Sequence, residues 1–110
     1  MRIYKELETL GFFEWYCTQY GGLNYTQYKE VYDYLPLDNI IRTELNACVI
    51  RFFREKHEIN GRIIPYRVFN DIKYTYYCPY GVTKEVSATT ETYEEAELEL
   101  IKQLINIFKL

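Results

Sequence analysis

At 110 residues and 13.4 kDa the chain has the size of one domain and too little mass for two independent cores. Its 48% hydrophobic and 26% charged residues are ordinary globular usage, which excludes disordered and fibrous classes. A net charge of −3 leaves no electrostatic footprint for holding a polyanion, so nucleic acid is not an expected partner.

The longest apolar runs, Cys48-Val49-Ile50 and Phe52-Phe53, are cut by Arg51 and Arg54, far short of the roughly 18 to 20 apolar residues of a membrane span. Lys5, Glu6 and Glu8 break up any secretory apolar segment, so a cytoplasmic protein is expected. In chain order, Ile3, Leu7 and Leu10 share one face of a short helix, and Gly11 stands where a left-handed cap belongs. In Phe12 to Gln19, Phe13, Trp15 and Cys17 alternate with Glu14 and Thr18, which predicts a strand closed by a Gly21-Gly22 hairpin turn. Residues 23 to 35 fit a helix through Tyr28, Tyr32 and Leu35 or a strand through Tyr28, Glu30, Tyr32 and Tyr34; the strand is preferred.

Pro36 ends that segment, and Asp38 is placed to cap the next helix by accepting first-turn amide hydrogens. Ile41, Leu45, Cys48 and Phe52, flanked by Ile40, Val49 and Phe53, recur at helical spacing over residues 39 to 57. Arg42, Glu44, Asn46, Arg51, Arg54 and Glu55 fall on the remaining, solvent-facing positions, and Gly61 is expected to stop the helix. Ile63 to Phe69 and Ile72 to Cys78 read as a hairpin turning at Asn70-Asp71. Pro79-Tyr80-Gly81 makes a second turn into a strand through Val82, Lys84, Val86 and Ala88, and Pro65 places its own strand at an edge. Thr92 and Glu95 form a capping box for a closing helix whose buried face is Tyr93, Ala96, Leu100, Leu104, Ile107 and Phe108.

The expected fold is therefore a single α+β domain over residues 1–110. An antiparallel three-stranded meander packs against two long amphipathic helices within residues 38–110, and residues 1–37 add a short helix and a hairpin.

No residue pattern for catalysis stands out. His57, the only histidine, sits in a Lys-His-Glu run at a helix end, where a cap or solvated residue is the ordinary explanation. Glu91, Glu94, Glu95, Glu97 and Glu99 resemble a paired-acid cluster but occupy first helical turns, where the dipole favours negative charge and most of the side chains face water. Cys17, Cys48 and Cys78 lie too far apart in sequence for local metal-ligand spacing, and their odd number fits reduced thiols. Neither a phosphate loop nor a nucleophile elbow occurs, so no cofactor or metal is expected.

The outlier is tyrosine, with 13 in the chain. Tyrosine suits half-buried sheet faces, and exposed tyrosine supplies contact area at low entropic cost. Tyr74, Tyr76, Tyr77, Tyr66, Trp15 and Tyr16 are the candidate interaction surface, for a protein partner or a second copy in a homodimer. Strand alternation puts Tyr74 and Tyr76 on one face with Ile72, and Lys73, Thr75 and Tyr77 on the other.

Helix, three strands and helix is the element order of double-stranded-RNA-binding domains. Their last helix presents basic residues to phosphates, however, whereas here it opens Glu94-Glu95-Ala96-Glu97. The stretch Arg51-Phe52-Phe53-Arg54-Glu55-Lys56-His57, with Tyr93-Glu94-Glu95-Ala96-Glu97 and Leu104-Ile105-Asn106-Ile107, resembles small phage- and prophage-encoded proteins of gut Bacteroidetes. The likeness covers roughly residues 40 to 110, with Phe52 where members carry Trp. It implies a cytoplasmic accessory protein and brings no catalytic residues with it. A non-enzymatic protein-interaction module is the expected function, with a nucleic-acid-associated protein and a small enzyme as alternatives.

Overall fold

The computed structural model describes residues 2–20, 31–80 and 84–109. Helix α1, Ile3–Thr9, buries Ile3, Tyr4 and Leu7 and ends as expected at Gly11, which adopts φ +85. Only a residue without Cβ takes that left-handed angle cheaply, and the chain turns there directly into α2, Phe12–Tyr20.

The strand expected over Phe12 to Gln19 is thus a helix. A strand would have turned Phe12 away from Phe13 and Trp15, whereas the helix buries all three, with Phe12 5.6 Å and Trp15 5.4 Å, ring to ring, from Phe52. Packing of large rings overrides their strand propensity. Gly21-Gly22 and residues 23–30 lie outside the described residues, and the strand expected to continue to residue 35 gives way to a 3₁₀ turn at Tyr32–Tyr34. That turn is tied to α1, whose Tyr4 N–H donates to Asp33 Oδ1 at 3.0 Å.

Helix α3, Ile40–His57, is capped by Asn39 rather than Asp38: Asn39 Oδ1 accepts the Ile41 N–H at 3.0 Å. It ends at Glu58, whose φ of 56 is left-handed, rather than at Gly61. Gly61 has another reason to lack a side chain, because a Cβ there would lie 2.8 Å from Leu100 Cδ1.

Strands β1, Arg62–Val68, β2, Asp71–Tyr80, and β3, Lys84–Thr90, form an antiparallel sheet in the order β1-β2-β3. Val68 pairs with Asp71, so the hairpin turns at Phe69-Asn70, one residue earlier than Asn70-Asp71, and Phe69 takes the positive φ of 56. Pro65 lies in edge strand β1. Pro79 does not make the expected turn but continues β2, where β1 has already ended and no neighbour on that side needs its missing amide hydrogen.

Helix α4, Tyr93–Lys109, carries the expected cap: the Thr92 hydroxyl accepts the Glu95 N–H at 3.2 Å and donates to its carboxylate at 3.1 Å. The fold is the expected α+β class, with a meander packed against helices. Its layering is specific. Helix α4 lies along the sheet, centred on β2, while α3 packs on α4 and α2 packs on α3. Being covered on two sides, α4 buries Ala96, Leu100 and Leu104 and also Glu97, Ile101 and Ile105, while Tyr93 and Phe108 from the expected face are exposed.

Candidate functional site

The six aromatic residues expected at one surface occupy three places. Tyr74 and Tyr76 lie on the sheet face beneath α4, Tyr76 buried and Tyr74 ring-to-ring with Tyr93 at 5.8 Å. Trp15 is buried on α2, and Tyr16 is half-buried beside it, 5.9 Å from the Phe12 ring. Tyr66 and Tyr77 point to the opposite sheet face, since strand pairing aligns Tyr77 with Arg62 and Tyr66 with Lys73.

That opposite face carries Arg62, Ile64 and Tyr66 from β1, Lys73, Thr75 and Tyr77 from β2, and Glu85, Ser87 and Thr89 from β3. Among the described residues no helix covers it. Arg62 reaches Glu85 at 3.3 Å and sits over the Tyr77 ring at 4.6 Å, while Lys73 Nζ donates to Glu91 at 2.9 Å. The Glu91 carboxylate raises the Lys73 pKa through that hydrogen bond. Positive and negative charge therefore alternate across one face.

At one end the sheet outruns its cover. Pairing of β2 with β3 stops at Tyr74 and Thr90, and α4 starts at Tyr93 over Tyr74, so the hairpin beyond has only two strands. Tyr66, Phe69 and Ile72 are exposed there, Phe69 at 91%, with Tyr66 on the uncovered face and Ile72 on the opposite one; Ile64, exposed next to Tyr66, belongs to the three-stranded part.

A groove of about 400 Å³ lies at the other side of the molecule, between the α1–α2 corner and the end of α3, lined by Leu10, Glu14, Trp15, Phe52, Lys56 and His57. His57 is not the solvated residue expected from its neighbours. Its ring packs 5.0 Å from Phe52 and 4.2 Å from Phe108, and no hydrogen bond from a described residue holds its buried Nε2. Burial, helped by the Lys56 charge, lowers its pKa below the usual imidazole value.

A third feature is wholly internal. Glu97, expected on a solvated face, is 1% exposed, and Arg42 and Asn46, expected at the surface of α3, are buried too, Asn46 beside Glu97 and Arg42 beside Tyr32. Arg42 and Asn46 are four residues apart on α3 and so share the side that meets α4. The Arg42 guanidinium donates to the Leu35 carbonyl and lies 5.3 Å from the Tyr32 ring centre. Burial pushes the Glu97 carboxyl up to about 7, and Glu94 adds to it, while hydrogen bonds from Asn46 and Tyr93 act the other way. Burial also raises the Tyr32 hydroxyl. Sequence reasoning missed these groups; the signal available was the place of Glu97 four residues before Ile101, inside a stripe widened by a second packing partner.

Cys17 and Cys48 are half-buried free thiols on α2 and α3, and Cys78 is a buried one on β2 whose pKa burial raises to about 11. Among the described residues no three His, Cys, Asp or Glu side chains are grouped to hold a metal, and no helix is long and apolar enough to cross a membrane. Comparison with models of protein families, with curated proteins and with solved structures gave no match.

Proposed function

We propose that the protein is a non-enzymatic interaction module that binds a second copy of itself through the uncovered sheet face and its overhanging hairpin. The observation that carries this reading is that Ile64 and Tyr66 are exposed side by side on the uncovered face, with Phe69 exposed at the tip of the hairpin that extends it. Apolar surface gathered in this way is costly in a lone chain and is relieved by a partner. The second copy is favoured because the same face carries Arg62 and Lys73 beside Glu85 and Glu91, so a two-fold related copy can meet each charge with its opposite. That balance, and the carboxylates of Glu94 and Glu95 at the start of α4, disfavour a phosphate backbone as the occupant. A small cytoplasmic accessory protein, the setting implied by the phage-protein resemblance, suits such a module.

Light scattering across a concentration series tests it, with the double variant Ile64→Lys/Tyr66→Lys beside the parent chain. The expected result is a mass that doubles with concentration in the parent and stays monomeric in the variant. A parent that is monomeric throughout, a variant that associates equally well, or tight oligonucleotide binding at physiological salt overturns the proposal.

A further inference from the structure

Four polar atoms from three elements are buried without hydrogen-bond partners among the described residues: Tyr32 Oη, Arg42 Nε, Asn46 Oδ1 and Glu97 Oε1. Tyr32, Asn46 and Glu97 are each 1% exposed. A buried carboxylate normally survives by pairing with a cation. Arg42 does not serve Glu97 in that way, because its guanidinium is engaged with the Leu35 carbonyl and the Tyr32 ring. The acid form resolves the conflict. It removes the buried charge and supplies one O–H donor beside Asn46, whose Oδ1 has no hydrogen-bond partner among the described residues.

We propose that Glu97 is a buried proton-binding site that fastens α3 and the 3₁₀ turn onto α4 when protonated and loosens them when ionised. The groups that act on it are Asn46 from α3, Tyr32 from the 3₁₀ turn, and Tyr93 and Glu94 from its own helix, while Arg42 and Asp33 act on Tyr32. The other layers put their charges elsewhere: Glu99 acts on Tyr76 at the sheet, and Glu6 of α1 meets Lys109 at 3.2 Å at the far end of α4.

The sign follows from linkage. With the carboxyl raised from 4.5 to about 7 on folding, the native state holds the proton that the unfolded chain has lost. Stability therefore falls as pH rises through that window and levels off above it. His57 acts oppositely, since its lowered pKa makes the unfolded chain the better proton binder just below 6.5.

The experiment is denaturant unfolding of the parent chain and Glu97→Gln from about pH 5 to about pH 8, with infrared difference spectra of the native proteins. The parent's unfolding constant should increase on the order of a hundredfold over this range. Glu97→Gln should lose that increase and keep only the weak opposite slope of His57. The parent's spectrum near pH 6 should contain the carbonyl stretch of a protonated carboxylic acid, absent from the variant. An unchanged slope in the variant, or a parent spectrum without that stretch, overturns the proposal. If Glu97→Gln does not fold, the midpoint of the infrared titration in the parent decides, with a value near 4.5 overturning it.

Discussion

Two rows of side chains on α4 are buried to similar degree against different neighbours. Ala96, Leu100 and Leu104 make an apolar row, and Leu100 comes so close to the start of β1 that a Cβ at Gly61 would force its side chain to shift. The second row, Glu97, Ile101 and Ile105, begins at the polar cluster against Asn46 of α3 and continues as hydrocarbon. One helix thus serves as the middle layer of a stack, and its second side admits one polar position, Glu97, on which the proposed proton dependence rests. A helix packed on one side needs an apolar stripe only about 100° wide; a middle layer needs nearly twice that.

The largest effects should come from truncating each row in turn. Leu100→Ala and Ile101→Ala should each cost about 2 to 5 kcal/mol in denaturant melts, because both side chains are fully buried. A cost under about 0.5 kcal/mol for Ile101→Ala would reduce α4 to a helix buried on one side only. A smaller effect tests how α3 is anchored over the second row. Asn39→Ala should lower stability by about 1 kcal/mol through loss of the cap on the Ile41 N–H, whereas Asp38→Ala should stay within about 0.5 kcal/mol. The reverse ranking would move the helix start back to Asp38. The smallest effect is expected where neither row reaches, at the hairpin tip. Phe69→Gly should stabilise the monomer by up to about 1 kcal/mol, since Gly takes the φ of 56 without Cβ strain and no packed contact is lost. A clear loss of stability in the melt would mean that Phe69 packs within its own chain.

Elements with local signals were legible from the residues. Gly11 marks the end of α1, the Thr92–Glu95 box starts α4, and period-two alternation puts Tyr74 and Tyr76 on the opposite face from Tyr77. The errors share a different origin. Phe12 to Gln19 has the composition of a strand and becomes a helix because that is how three large rings reach one core containing Phe52. The hairpin turn moves by one residue because pairing along seven positions of β1 sets the register, overriding the preference of Asn70-Asp71 for the turn.

Sequence alone determined the α+β class, the position of α3 and α4, the meander and its edge proline, because helical and strand periodicity, caps and missing amide hydrogens act over a few neighbouring residues. Tertiary structure alone decided which polar residues lie inside. Arg42, Asn46 and Glu97 carry polar labels in any sequence window, and they are buried because α4 is the middle of three layers and its second side must face α3. It also decided where the tyrosines go, since a strand's alternation sorts side chains onto two faces but only the helix that packs there makes one of them the core.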